Sequence, residues 1–477
     1  MEMSEDRYSG TPDNASQKLE DEFGKPRSEW TIDDLVDLVR RRDIRIVSLM
    51  HVGGDGWIKT LDFVPRSVGH FTDIIQAGDR ADGSNLFPGT GIPTGNSDIM
   101  LRPRVGSAFI DPFADVPSLV LLCGHVDRDG APLVQSPDTI IRRAFDLLRE
   151  ETGIELWALG EVEYYLGKRW DETDIYGADD RGYHATSPFV FGQGLRRQAL
   201  GILADIGVPI KYGHSEVGYI EAKKTQGVIW EQHEIELALA PLPEAAEGIL
   251  LTQWVLRNLA QSYGMRCSTE PMMLEGHAGS GLHFHFALMK DGRPLPVNEE
   301  DGRLSEPTRW LIGGLVQMGA ALMAFGNRVE GSFMRLIQAK EAPNTIVWGE
   351  YDRNALIRLP VVPRDKEGRE VTTPTVEFRL PDGSALPHLL MAGAALAMIH
   401  GRGTENLDEV LARTSSQQAS DAGDAVPVPR NFLQVADALS LYRDTLETGG
   451  VFPCGVIDRV TARLTGEVAQ PWQFSLL

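Results

Sequence analysis

The sequence predicts an α+β chain in two parts, a small front domain and a larger second one. Three observations carry that prediction. Segments such as ELWALGEVEYYLG and GSGLHFHFALM alternate at period two and are rich in β-branched and aromatic residues, as strands are. Residues 245–263, 308–325 and 389–400 are long and apolar at helical spacing, so they read as buried helices. A turn-rich run of short strands precedes residue 136, whereas strands and long helices mix after it. The chain has 477 residues and 42% hydrophobic content, enough for a large core and for two or three domains.

Residues 1–28 are polar, charged and poor in aromatics, and read as a loose tail. Residues 29–135 form the front domain. There, Thr31 opens a helix: T-I-D-D is a capping-box variant, with Leu35, Val36 and Val39 on one face. RIVSLMHVGG and DGWIKTLDFVP read as two strands joined by a Gly-rich turn. Residues 78–97 read as a loop, and RVGSAFIDPF and SLVLLCGHV as strands. Residues 136–477 form the second domain, opened by Ser136-Pro137 and a helix over 139–152. NTIVWGEYD and TVEFRLP add strands, residues 404–426 read as an exposed excursion, and FLQVADALSLYRDT as a last helix.

The formal charge of −22 argues against nucleic acid and against an anionic membrane surface as partners. Such a chain would hold an anionic substrate through bound cations and a few arginines. Cys123, Cys267 and Cys454 are far apart and form no CxxC pair, so they read as thiols of a reducing cytoplasm, without disulfide or zinc. The first residues lack a signal-peptide pattern. No apolar run reaches about 18 residues, so no membrane span is expected.

Four strand-like segments carry polar pairs at i, i+2, the spacing that puts both side chains on one face. They are Glu161 and Glu163, Glu234 and Glu236, His283 and His285, and Glu377 and Arg379. Taken singly, each pair reads as a solvated strand face. Four together, flanked by apolar residues, suggest converging faces, and converging carboxylates repel unless divalent cations sit between them. Oxygen ligands favour Mg²⁺ or Mn²⁺, and a histidine in the set tilts toward Mn²⁺. Nearby arginines would bind phosphate bidentately.

GEVEYYL, HSEV, QHEIEL, GSGLHFH, RLIQAKEAP, NALIRLP and VEFRLPD occur in this order and resemble, one after another, the signature blocks of glutamine synthetases. The resemblance runs from about residue 30 to 400. It implies a small β-grasp domain followed by a catalytic domain with a curved antiparallel sheet flanked by helices. By motif, Glu163, Glu216 and Glu234 resemble the ligands of a first metal near the substrate carboxylate. Glu161, His283 and Glu377 resemble those of a second, which grips ATP phosphates. Arg353 and Arg358 resemble the arginines that neutralise the transferring phosphoryl, and Arg335 and Arg379 those that hold the acid. Glu341 resembles a flap glutamate that closes the site and takes a proton from the amine. His285 resembles a nucleotide-side histidine, and Gly279 and Gly281 the glycines that admit substrate to the backbone. In the front domain ADGSNLFPGTGIP resembles the family's DGSS-type loop. Asp82 then resembles the aspartate that reaches a neighbouring subunit's site and helps deprotonate ammonium, and Tyr183 the tyrosine of that pocket.

The implied reaction is an ATP-dependent ligation of glutamate to ammonia or a small amine through a γ-glutamyl phosphate, with two or three Mg²⁺ or Mn²⁺ ions per site. A homo-oligomer is implied as well, in the family's usual dodecameric form. Several positions depart from the pattern. Ala278 stands where an asparagine touches the amino acid, Glu270-Pro271 replaces a lysine-proline pair, Ala287 replaces a serine, and Asn85 replaces the second serine of the loop. From Glu216 to Glu234 the gap is 234 − 216 = 18 residues, longer than the family usually shows, and the extra segment carries Trp230 and two lysines. The tyrosine adenylylated in some relatives is not evident in ENLDEVLAR. Three readings stay open: ammonia or an organic amine as nucleophile, a different acid–amine pair, and a catalytically silent structural protein.

Overall fold

The computed structural model describes residues 17–171, 180, 182–299, 302–338, 342–418 and 426–468. The front part comprises α1 (Gln17–Phe23), α2 (Ile32–Arg41), β1 (Ile46–Val52), β2 (Ile58–Phe63), α3 (Val68–Ala77), β3 (Asp79–Asp82), α4 (Gly83–Leu86), β4 (Asp98–Pro103), β5 (Phe109–Ile110) and β6 (Ser118–Val126). The strands run β2-β1-β6-β4-β3, with β5 added on β6. β1 pairs antiparallel with β2 but parallel with β6, the mixed core of a β-grasp. Leu35 and Leu38 of α2 and Phe71 of α3 pack on Val47, Leu119 and Leu121 of the sheet. The capping box is present: Asp34 N donates to Thr31 Oγ1 at 3.3 Å and Thr31 N to Asp34 Oδ2 at 2.6 Å.

Some stretches are more ordered than their composition suggests. Within the stretch read as a loose tail, residues 17–28 include α1, which buries Leu19 beside Trp30, and the Arg27 guanidinium donates to Ile206 O at 2.8 Å. The Gly-rich run 78–97 contains β3, whose Ala81 pairs with Ile99 of β4, and α4, capped by the Asp82 carboxylate. Only Phe109–Ile110 of RVGSAFIDPF forms a strand, because residues 105–107 make a 3-10 turn.

The large part opens with α5 (Pro137–Thr152). It continues through β7 (Glu155–Arg169), α6 (Gln193–Asp205), β8 (Ile210–Ile220), β9 (Val228–Leu237), β10 (Ala240–Pro241), α7 (Leu242–Ser262), β11 (Arg266–Ser268), β12 (Leu282–Lys290) and β13 (Arg293–Pro294). It then adds α8 (Glu306–Gly326), α9 (Glu330–Gln338), β14 (Trp348–Glu350), β15 (Ile357–Leu359), β16 (Val376–Phe378), α10 (Pro387–Arg402) and α11 (Leu407–Thr414). Its ten-stranded sheet runs β14-β15-β16-β12-β7-β9-β8, with β10 and β11 added on β7 and β13 on β12, antiparallel except between β14 and β15. Val162, Tyr164, Ile235, Phe284, Phe286 and Phe378 join the core built with α5, α7, α8 and α10. Alternation then turns Glu161, Glu163, Glu234, Glu236, His283 and His285 to the other face.

α11 buries Leu407, Val410 and Leu411, so the excursion over 404–426 is partly packed; residues 419–425 lie outside the described ones. Three helices, Phe432–Leu441, Arg443–Glu447 and Cys454–Leu464, close the described chain, the last unforeseen in the sequence. α8 is long and apolar enough to span a membrane, contrary to the apolar-run reading, but 78% of its apolar window is buried in the protein, which makes it a core helix.

The two parts are locked by charge and imidazole contacts. Arg104 donates to Asp138 of α5 at 3.0 Å and also pairs with Glu247 of α7. His125 Nδ1 meets Ser136 Oγ at 2.8 Å and its Nε2 meets His51 Nδ1 at 3.0 Å.

Candidate active site

The polar face of the sheet gathers acids from neighbouring strands by register. Glu161 of β7 stands opposite His283 of β12 and Glu236 of β9, Glu163 opposite Glu234, and His285 opposite Glu377 of β16. These groups are largely out of solvent: Glu236 and Glu377 are 1% exposed, Glu234 7%, His283 8%. A solvated strand face is therefore excluded.

Two clusters result. In one, Glu161 Oε2 accepts from His283 Nδ1 at 2.8 Å and Oε1 from His285 Nε2 at 3.0 Å. Glu377 lies beside them, its carboxylate gripped by Arg379 Nη1 at 2.7 Å and Arg358 Nη1 at 2.9 Å. In the other, His214 Nε2 lies 3.2 Å from Glu234 Oε1, and His214 Nδ1 lies 3.6 Å from Glu216 Oε1. Ligand atoms of Glu161, His283 and Glu377, of His214, Glu216 and Glu234, and of Glu161, Glu234 and Glu236 each fall within 4.8 Å of one another.

The electrostatics of the clusters differ. Burial alone would raise the Glu161 carboxyl, but the imidazoles of His285 and His283 hold it well below the usual range. The same burial lowers and Glu161 raises His285, and Glu161 prevails. Glu234 is pushed well above the carboxylate range by burial, then by Glu161, Glu163, Glu216 and Glu236. His214 Nδ1 lies 3.1 Å from Ser215 O, which can only accept, so Nε2 carries the lone pair toward Glu234. A lone pair facing a carboxylate oxygen is repulsive unless a proton or a cation lies between. A surplus of buried carboxylates around a bare imidazole nitrogen is the donor set a hard divalent cation satisfies.

β8 brings Glu216 into this set through a bulge. Ser215 pairs with His233 and Tyr219 with Glu231, so Glu216, Val217 and Gly218 stand opposite Gln232 alone. Gln232 fills the bulge: its Oε1 accepts from Gly218 N at 3.0 Å, and its Nε2 donates to Glu163 Oε2 at 2.9 Å and Gly279 O at 3.0 Å. On the opposite face of β9, His233 sits between Arg196 Nη1 at 2.6 Å and Glu231 Oε1 at 2.8 Å, all buried, which stiffens the strand.

Beside the clusters lies a cleft of about 120 Å³ lined by Glu163, Glu216, Gly279, Gly281, Arg335 and Arg379, among others. A Cβ on Gly281 would stand 2.5 Å from His283 Nε2, and one on Gly279 would stand 2.7 Å from Pro271 O; only glycine fits at either place. Arg335 is buried with Nη1 donating to Leu380 O at 3.0 Å and Nη2 to Arg379 O at 3.2 Å, so backbone carbonyls aim it.

The residues singled out in the sequence fall into three groups. Glu161, Glu163, Glu216, Glu234, His283, His285, Glu377, Arg335, Arg358, Arg379, Gly279 and Gly281 come together here. Glu163 is tied to Gln232 and to Gly281 N at 2.9 Å, and the closer partner of Glu216 and Glu234 is His214, which sequence reasoning missed. Its signal was the His-x-Glu spacing of HSE. Tyr183 is half-exposed, stacked on His184 at 4.3 Å and edge-on to His214 at 5.5 Å. Arg353 is exposed in the turn after β14. Asp82 lies in the front sheet, bound to Ser84 and Asn85, and is not among the cleft-lining residues of its own chain. Glu341 lies outside the described residues, although the next residue, Ala342, lines the cleft.

A curled sheet bearing paired acid–histidine clusters on one face is an arrangement that could hold metal ions. Residues 134–458 match the family model described as glutamine synthetase, catalytic domain, so the chain belongs to the glutamine synthetase family. It is 29% identical to the 3-hydroxylaminophenol mutase of Cupriavidus pinatubonensis, over 90% of this chain and 93% of that protein. It is 28% identical to the glutamine synthetase of Methylococcus capsulatus, over 89% and 93%. The glutamine synthetase of Plasmodium falciparum has the same fold, with a TM-score of 0.77 at 18% identity, covering 92% of this chain and 96% of that one.

Proposed function

We propose that the protein is an ATP-dependent ligase that joins glutamate to ammonia or a small amine through a γ-glutamyl phosphate. The observation that carries this reading is the pair of carboxylate clusters flanking an arginine-lined cleft. Activating a carboxylate with ATP brings two anions together, and these residues supply what that step lacks. Divalent cations would be held by Glu161, His283 and Glu377 and by His214, Glu216 and Glu234 with Glu163 adjacent, and would cancel charge between carboxylate and phosphate. Arg335 and Arg379 bind and orient the acid, and Arg358 and Arg353 face the phosphoryl. Gly279 and Gly281 let the acid lie against the backbone. Asp82, Tyr183 and Glu341 take up the proton that the amine must lose before attack.

The positions that depart from the family pattern favour an organic amine. The extra residues between Glu216 and Glu234 extend the β8–β9 hairpin past the bulge. Ile220 and Trp230 pack there with Tyr165, Met273 and Leu274. Tyr165 OH donates to Ala278 O at 2.8 Å, so the extension braces the wall where the asparagine is absent. The test is ADP release with ATP, glutamate and Mg²⁺ or Mn²⁺, comparing ammonium with a panel of amines. Release that depends on both glutamate and one nucleophile supports the ligase; release with neither, in the presence of bound metal, counts against it.

A further inference from the structure

A cavity of about 490 Å³ lies at the junction of the two parts and shares no lining residue with the reaction cleft. Its rim is the β1–β2 turn, where a Cβ on Gly56 would meet Leu386 Cδ2 at 2.2 Å, so the turn seats directly on the catalytic part. Trp57 of that turn lies under the Arg257 guanidinium of α7 at 5.3 Å. Trp254, Leu250 and Leu386 add apolar wall.

The polar groups inside are unmatched. Gln253 is 7% exposed, yet its amide makes no hydrogen bond among the described residues. Arg328 forms no ion pair within 4 Å among them; its best side-chain contact is Ser384 O at 3.4 Å, and burial, with Arg463 nearby, outweighs the more distant Asp55 and Asp382 and pushes it down to about 10. Glu270, which stands where the family has a lysine, forms no ion pair either, and burial followed by Asp382 raises its carboxyl. A guanidinium and a carboxyl that each lack a close ion-pair partner, an amide without a hydrogen bond and two indoles ask for one kind of guest.

We propose that this cavity is a second small-molecule site, outside the reaction cleft, for a zwitterionic α-amino acid with an aromatic side chain. The carboxylate meets Arg328, the ammonium meets Glu270 and Gln253, and the ring lies against Trp57 and Trp254. The cavity has room for a ring of that size.

The experiment is calorimetric titration of the intact protein with phenylalanine, in saturating glutamate and without turnover. One phenylalanine per chain is expected to bind. Phenylacetate and phenethylamine, each lacking one charge, should bind at least about tenfold more weakly, since each leaves a partly buried charge unpaired. Trp57→Ala, at a residue 37% exposed, and Gln253→Leu should also weaken binding by at least about tenfold, with thermal unfolding of Trp57→Ala unchanged. Absence of binding overturns the proposal. So does phenylacetate binding as tightly as phenylalanine, or displacement by glutamate with Trp57→Ala without effect, which would place the amino acid in the reaction cleft. None of these readouts depends on the ligase reaction, so a failure here leaves that reading standing.

Discussion

At the scale of single residues, the site is a problem of charge. Glu234 faces four other carboxylates and a bare imidazole nitrogen, and cations would relieve this. His283→Ala removes a candidate ligand and the partner of Glu161, and is expected to lower ADP release at least about 100-fold; near-normal turnover would refute the assignment. His214→Ala should raise the Mn²⁺ concentration needed for half-maximal activity by about 10- to 100-fold, read by metal titration. An unchanged requirement would leave Glu163 to complete that cluster. Gly281→Ala places a methyl 2.5 Å from His283 Nε2, and is expected to abolish acid binding while leaving the unfolding midpoint close to wild type. The i, i+2 pairs could be read from the sequence because strand alternation is local. His214 could not be ranked there, because its role depends on a register with β9 that only the folded hairpin fixes.

At the scale of elements, the interlock between the front sheet and the helices carries stability. Arg104 pairs with Asp138 and Glu247, both mostly buried. Arg104→Met leaves Asp138 and Glu247 to Arg142 alone, and is expected to destabilise the protein by about 1.5–3 kcal/mol in urea unfolding. Below 1 kcal/mol, the pairing would be incidental. The histidines at the same junction predict the pH response. Burial, reinforced by Lys59, pushes His51 down to about 4. Burial, reinforced by His51, pushes His125 down to about 3, and burial pushes His388 down to about 4. An unfolded histidine takes a proton near pH 6.5, whereas these stay neutral in the fold. Stability is therefore full above about pH 6.5 and falls as pH drops toward 4, by about 1.4 kcal/mol per pH unit per histidine. Chemical denaturation at stepped pH measures the slope, and a flat profile from 7 to 5 would contradict it.

α2, with its capping box, and the long apolar helices α5 and α7, each with Pro in the first turn, were legible to within a few residues. β3, α4 and α11 were not, because their order comes from partners elsewhere: Ile99 for β3, the Asp82 carboxylate for α4, and the main core for α11. α8 was legible over 308–325 as a buried helix; what the sequence did not show is that, with its flanking turn, it reaches the length and apolarity of a membrane span, because small and polar residues interrupt the run.

At the scale of the whole molecule, the cleft of one chain lacks Asp82, which stands in the front sheet. If the neighbour's Asp82 completes each site, Asp82→Ala and Glu341→Ala chains, each inactive alone, should regain part of the activity when unfolded and reassembled together. About a quarter of wild-type sites is the expected ceiling for random mixing across one shared boundary, since only a site with both residues intact works. No recovery would place Asp82 outside the reaction. The bulge in β8 has a different consequence. It takes up the mismatch at Gln232, so the strand pairing beyond it is free to lengthen or shorten two residues at a time without moving Glu216 or Glu234. The hairpin tip is thus an exchangeable cassette: grafted tips of other lengths would redraw the mouth of the site while its chemical centre is inherited intact.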